Sequence, residues 1–365
     1  MKFSAPREAI LKPLQTVVGV VERRQTMPIL SNVLLTARGG KLAVTATDLE
    51  VEMVAEAEVD VGTPGEITVP GRKLHDICKA LPDGTNVDVS LSGDRLTVKA
   101  GRSRFTLSTL RASDFPTVEE VAQQQVLRLP RKDLKRLIDK THFSMAQQDV
   151  RYYLNGLLLE TGRQRLRAVA TDGHRLALAE VTLEGGPSRE EQLIVPRKGV
   201  LELSRLLDGE GDIELVLGKN HMRAQVDSVR LTSKLIDGRF PDYNRVIPTT
   251  PPNVLVADRN LLKAALQRTA ILSNEKYRGV RLELSGNTLV LQANNPEQEE
   301  ALETLEVDYS GEPFEIGFNV TYLLDALGAV DDDQVEFGMT DANSSCLIKG
   351  PGEQSCRFVV MPMRL

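Results

Sequence analysis

The sequence predicts an α+β protein made of one unit used three times, each copy two helices backing a layer of antiparallel sheet. Three observations predict it. Landmark segments recur at steps of 123 and 128 residues, a period too long for a solenoid. In each copy, two stretches place apolar residues at the spacing of one buried helical face, as Leu74, Ile77, Cys78 and Leu81 do. Elsewhere apolar and polar residues alternate over short runs, as in Val87-Asp88-Val89-Ser90-Leu91 and Leu96-Thr97-Val98-Lys99-Ala100, which is the pattern of half-buried strands.

The first helix of each copy opens at Leu11-Lys12-Pro13-Leu14, at Leu134-Lys135-Arg136-Leu137 and at Leu262-Lys263-Ala264-Ala265-Leu266. The middle one is predicted from Arg131 to Phe143, with Leu134, Leu137, Ile138 and Thr141 facing inward. Strands beginning near Asn32, Asn155 and Gly279 then reach tight turns and return. The turns are Ala46-Thr47-Asp48-Leu49-Glu50, Ala170-Thr171-Asp172-Gly173-His174 and Ala293-Asn294-Asn295-Pro296-Glu297. After Val69-Pro70, Val195-Pro196 and Gly317-Phe318-Asn319 come the second helices, Arg72 to Leu81, Arg197 to Leu207 and Val320 to Leu327. Roughly eight short strands per copy complete the expectation. Two copies close on Ser113-Asp114-Phe115-Pro116 and Gly238-Arg239-Phe240-Pro241; the third ends in Val359-Val360-Met361-Pro362-Met363-Arg364-Leu365. Polar residues and prolines at the junctions divide the chain into domains 1–122, 126–248 and 252–365.

Of 365 residues, 41% are hydrophobic and 26% charged, enough to bury several cores and too apolar for bulk disorder. No apolar run approaches the roughly 18 residues of a spanning helix, and Met1 to Ile10 lacks a secretory apolar block, so a cytoplasmic protein with no membrane partner is expected. The three cysteines and four histidines show neither CxxC nor HxxxH spacing; no metal and no cofactor are expected.

The net charge of −6 is unevenly spread. Residues 126–250 hold 21 Lys and Arg against 17 Asp and Glu, whereas residues 251–365 hold nine against 18. Lys132, Lys135, Arg136 and Lys140 fall on the outer side of the middle copy's first helix, and Lys12, Arg72, Lys73, Lys79, Lys198, Arg205, Lys263 and Arg268 lie on other helices. Were all six helices on one side of the sheets, they would form a positive surface suited to nucleic-acid backbone, without a base-reading code. Basic, apolar Arg102-Ser103-Arg104-Phe105 and acidic Pro296-Glu297-Gln298-Glu299-Glu300 at opposite ends of the chain suit head-to-tail pairing.

Catalysis has little to stand on. Asp172 and His174 could be an acid–base pair, but an Asp in a tight turn ordinarily binds backbone amides, and the equivalent turns carry no histidine. No nucleophile elbow or phosphate loop accompanies them. The apolar C-terminal segment reads either as a last core strand or as the wall of a groove for another protein's peptide.

Together, Gln148-Asp149-Val150-Arg151-Tyr152-Tyr153-Leu154-Asn155-Gly156, Thr171-Asp172-Gly173-His174-Arg175-Leu176, Ser273-Asn274-Glu275-Lys276, Asn294 to Glu300 and Val359 to Leu365 resemble signatures of the bacterial sliding clamps, the beta subunits of DNA polymerase III, in order and over the whole chain. The resemblance implies three clamp domains forming half of a six-domain ring, a head-to-tail homodimer that encircles duplex DNA without sequence preference and gives the polymerase processivity, with no enzymatic activity. It implies DNA contacts at Arg24, Arg72, Gln148, Tyr152, Tyr153 and Lys198. It also implies a partner-peptide pocket of Leu154, Thr171, Gly173, His174, Arg175, Leu176, Pro241, Arg245, Val246, Asn319, Tyr322, Ser345, Val359, Val360, Met361, Pro362, Met363, Arg364 and Leu365. By the same resemblance, that pocket is expected to serve the replicative polymerase's catalytic subunit, the clamp loader, and other polymerases and repair proteins. The resemblance implies a ring interface that would pair Lys73, Ile77, Leu81, Arg102, Arg104, Phe105 and Leu107 with Ile271, Leu272, Glu297, Glu300 and Glu303. The alternative is a repeat-built protein-interaction adaptor that does not encircle DNA.

Overall fold

The computed structural model describes residues 1–21, 27–118, 121–184 and 189–364, with Gln124 as backbone only. Six α-helices lie among them: α1 Arg7–Val17, α2 Gly71–Ala80, α3 Arg131–Asp139, α4 Arg197–Leu206, α5 Arg259–Thr269 and α6 Val320–Ala329. In the first two copies, every helix is preceded by a proline that ends a strand: Pro6, Pro70, Pro130 and Pro196. A proline has no N–H to give a sheet ladder, so the strand stops where the helix begins. In the third copy side chains do this work. Asp258 accepts from the Leu261 N–H at 2.8 Å, and Asn319 from the Thr321 N–H at 2.9 Å.

α3 is shorter than its apolar pattern predicts. Helical geometry lapses at Thr141, whose φ is −130°, and a separate 3-10 turn covers His142–Ser144. The buried Thr141 hydroxyl donates back to the Leu137 carbonyl at 2.5 Å, competing with the backbone for an acceptor at the helix end.

The strands among the described residues, nine, eight and nine in the three copies, form four antiparallel sheets. A five-stranded sheet belongs to the first copy, with Ser103–Ser108 at one edge; a four-stranded sheet belongs to the third, with Glu300–Glu306 at one edge. The other two are shared between copies. Val51–Glu58 of the first pairs with Val229–Lys234 of the second, Met53 opposite Leu231, within an eight-stranded sheet. Arg175–Thr182 of the second pairs with Cys356–Val360 of the third, Ala177 opposite Phe358, within a nine-stranded sheet. The chain accordingly clusters into two units, residues 1–132 with 198–235 and residues 133–197 with 236–365. The middle copy gives strands to both.

Each helix buries one stripe: Ile10, Leu11, Leu14 and Val17 of α1; Leu134, Leu137 and Ile138 of α3; Leu323 and Leu327 of α6. In the first unit α1 packs on α2 and on strands Lys41–Thr47 and Val51–Glu58; in the second, α5 packs on α6. The basic residues divide. Lys12, Lys73, Lys79 and Lys132 are exposed. Arg136 reaches Glu353, Lys140 bonds Asp331, Lys198 bonds Asp48 and Arg268 grips Glu303. α6 carries no Lys or Arg. The uniformly positive helical surface is thus reduced, because much of its charge is neutralised by carboxylates far away in sequence.

Candidate functional site

The Thr-Asp turn is a device of the repeat. In the middle copy the Thr171 hydroxyl donates to the Arg175 carbonyl at 2.6 Å and accepts from the Gly173 N–H, while Asp172 Oδ1 accepts from the N–H groups of His174 and Arg175 at 2.9 and 3.0 Å. Thr47 and Asp48 make the same bonds around Leu49, Glu50 and Val51. The carboxylate of Asp172 is spent on backbone amides and on Arg175, at 3.2 Å. It does not orient His174 as a base.

What distinguishes the middle copy is the surroundings of this turn. Gly173, at φ +89°, lies against the Arg151 guanidinium, so that a Cβ there would fall 2.8 Å from Nη1. Arg151 in turn holds Asp149 with two bonds of 3.0 and 2.9 Å and reaches the Asp172 carbonyl. This pairing holds the Asp149 carboxyl down at about 2. Arg175 sits 4.5 Å over the Tyr322 ring and bonds Asp325.

Between these elements opens a mainly apolar cavity of about 220 Å³, lined by Arg151, Tyr153, Leu154, Thr171, Gly173, Arg175, Leu176, Pro241, Asp242, Tyr243, Val246, Val359 and Met361. Its floor continues into a buried cluster including Leu158, Val169, Leu178 and Leu347. Tyr243 is fixed by the Arg167 guanidinium, which donates to its hydroxyl at 2.8 Å, and burial raises the phenol's pKa. Such a small, preformed apolar recess with a polar mouth suits two or three apolar side chains of an extended peptide.

Nine of the nineteen residues expected in a peptide pocket line this cavity: Leu154, Thr171, Gly173, Arg175, Leu176, Pro241, Val246, Val359 and Met361. Others support it from outside. Arg245 donates to Asp242, the Ser345 hydroxyl donates to the Val246 carbonyl, and the His174 carbonyl accepts from the Met361 N–H at 2.9 Å. Val360 is buried in its strand, and the Met363 N–H donates to the Gly317 carbonyl at 2.8 Å, which lays the tail holding Pro362 along strand Phe314–Asn319. Arg364 lines a different cavity, Asn319 caps α6, and Leu365 is outside the described residues. Sequence reasoning missed Arg151, Asp242 and Tyr243, and expected Tyr153 at DNA only.

Of the residues expected at DNA, Arg24 is outside the described residues. Arg72 and Lys198 belong to the first unit, where they donate to the Val21 and Val20 carbonyls. Gln148, Tyr152 and Tyr153 belong to the second, with Gln148 at φ +54° on an exposed loop and Tyr152 56% exposed. The residues expected at a chain-to-chain interface fall on or beside the two unshared sheets and helices of the first and third copies. Arg104, Phe105 and Leu107 lie on edge strand Ser103–Ser108, with Arg102 just before it, and Lys73, Ile77 and Leu81 on or beside α2. Glu300 and Glu303 lie on edge strand Glu300–Glu306, Glu297 precedes it, and Ile271 and Leu272 follow α5, Ile271 being 75% exposed.

Three family models, describing the N-terminal, central and C-terminal domains of the DNA polymerase III beta subunit, match residues 1–119, 128–242 and 244–364. The chain is 57% identical to the beta sliding clamp of Pseudomonas putida and 53% to that of Escherichia coli strain K12, with both partners of each comparison covered completely. The chain belongs to the DNA polymerase III beta subunit family, the beta sliding clamps. The crystal structure of the DNA polymerase III subunit beta of Pseudomonas aeruginosa superimposes with a TM-score of 0.97 at 55% identity, and pol III beta of Caulobacter crescentus with 0.96 at 44%; each covers this chain and is covered by it in full. As a beta sliding clamp the protein is a processivity factor and not an enzyme, which settles the Asp172 and His174 question against catalysis.

Proposed function

We propose that this sliding clamp closes around duplex DNA as a head-to-tail homodimer in the cytoplasm, and tethers the replicative polymerase through the cavity beside its C-terminal segment. The observation that carries the reading is a seam used twice and left open once. The last strand of each copy begins alike, as Ser103-Arg104-Phe105, Val229-Arg230-Leu231 and Cys356-Arg357-Phe358. The strand after each turn has Met53, Ala177 or Ala301 opposite the turn's leading alanine. Two of the three possible pairings occur within the chain, Leu231 with Met53 and Phe358 with Ala177. The unused partners are Phe105 and Ala301.

A second copy supplies them. Transferring the register puts Phe105 opposite Ala301, Arg104 opposite Leu302 and Thr106 opposite Glu300. Arg104 then lies diagonal to Glu300, and Arg102 diagonal to Glu306, within reach for ion pairs. Leu302, 63% exposed in the single chain, would be covered. The domains are placed at 1–122, 126–248 and 252–365. DNA contacts are assigned to Arg24, Arg72, Gln148, Tyr152, Tyr153 and Lys198, and partner peptides of the polymerase, clamp loader and repair proteins to the apolar cavity.

The test is topological. After loading by an ATP-dependent clamp loader, the protein should stay on closed circular DNA and be lost when that DNA is linearised. Equal retention on both forms refutes encirclement. Solution scattering should give a dimer with a hollow centre.

A further inference from the structure

The C-terminal tail separates two cavities. Met361 lines the apolar one, and Arg364, three residues on, lines a second cavity of about 470 Å³ with Tyr277, Arg281, Gln292, Asn294 and Pro296. The two guanidinium groups are the only charged side chains among the described residues that line it. Arg281 leans on Glu315 at 3.2 Å, and Arg364 has no ion-pair partner among the described residues. Gln292 and neighbouring Asn295 have their amide donors engaged by Glu300 and Glu299. At the rim the Lys276 ammonium lies 5.2 Å from the Tyr277 ring centre. The charged groups that line the cavity are therefore cationic, forked donor sets that match a carboxylate.

We propose that this second cavity receives an acidic side chain of the same partner segment whose apolar residues fill the first. The inference rests on the reading of the first cavity as a peptide pocket and extends it. From Met361 to Arg364 an extended chain covers about 10 Å, so a partner segment of about six to eight residues reaches both cavities. The two sites thereby divide recognition, apolar side chains giving affinity and a carboxylate selecting among partners.

The experiment measures binding of labelled synthetic peptides to the full chain by fluorescence polarisation. A Leu-Leu-Phe core carries Asp-Asp on its N-terminal side, Asp-Asp on its C-terminal side, or Gly-Gly at both. One Asp-bearing peptide should bind about fivefold more tightly than the glycine peptide at low salt, with the advantage fading at about 0.5 M salt. Arg281→Gln should abolish the advantage and leave the glycine peptide's affinity unchanged, which also shows that the variant is folded. Glu315→Gln, which frees Arg281, should enlarge it. Equal affinity of all three peptides, or an advantage that survives Arg281→Gln, overturns the proposal while leaving the apolar pocket standing. Failure of the glycine peptide to bind at all removes both.

Discussion

Replacing Gly173 by alanine tests how the apolar cavity is built. The turn demands a left-handed backbone at this position whatever residue fills it: Gly173 has φ +89° and its counterpart Leu49 has φ +79°, inside the same set of hydrogen bonds. A non-glycine residue held there costs about 1–2 kcal/mol. The first copy bears that cost. In the middle copy a Cβ would in addition meet Arg151 Nη1 at 2.8 Å and Nη2 at 3.0 Å, so the guanidinium, which also holds Asp149, must shift. Gly173→Ala should therefore lower the melting temperature by about 2–8 °C, at about 2–4 °C per kcal/mol for a unit of this size. Because Arg151 is a wall of the cavity, affinity for an apolar peptide should fall as well. Leu49→Gly is the control: relief of backbone strain and the greater freedom of the unfolded chain offset one another to within about 1 kcal/mol. Thermal denaturation and peptide polarisation read both effects. A Gly173→Ala protein with unchanged stability and unchanged peptide affinity would refute the reasoning.

Four further outcomes are expected. The folded-state pKa of Asp149 lies below the usual 3.8, so its pairing stabilises the fold above that value and the contribution is lost as the pH falls through about 2; Arg151→Ala should return the midpoint toward the usual value in a carboxyl NMR titration, and an unmoved midpoint contradicts the assigned cause. Reversing charge at Arg102 and Arg104 should raise the dimer dissociation constant about tenfold at low salt and less at high salt, and sedimentation showing intact dimers at low salt would count against the register. Deleting Met361 to Leu365 should abolish peptide binding while sparing the dimer; peptide affinity equal to that of the full chain removes the tail from the pocket. Burial pushes the Cys78 thiol up to about 11 and Cys346 and Cys356 upward too, so none should react with a thiol reagent at about pH 8 until the chain is unfolded, and rapid labelling of the folded protein would show the burial to be wrong.

Much of the fold was legible because its causes are local. Prolines that stop strands, apolar stripes at helical spacing and a turn that consumes its own carboxylate all act within a few residues, and each appears two or three times to reinforce the reading. The sharing of sheets was not legible, since Leu231 meets Met53 only through a partner nearly half the chain away. The same distance hid the neutralisation of Lys140 by Asp331 and of Arg136 by Glu353. In the cavity, the residues supplied by the family resemblance cover much of the lining. Tyr243 escaped notice because its role depends on Arg167, and Arg151 because its function is to stand over a glycine more than twenty residues away.

The two seams inside the chain differ from the proposed third in that a polypeptide joins their strands. Connection turns pairing into an intramolecular event with an effective concentration in the millimolar range for short linkers, whereas pairing between separate chains follows the actual protein concentration. Dilution therefore acts on one kind of seam and leaves the other closed. On the proposed register, the strand edges at Ser103–Ser108 and Glu300–Glu306 would then be the gate for duplex, and a covalent tether between them should turn a transient closure into a permanent one.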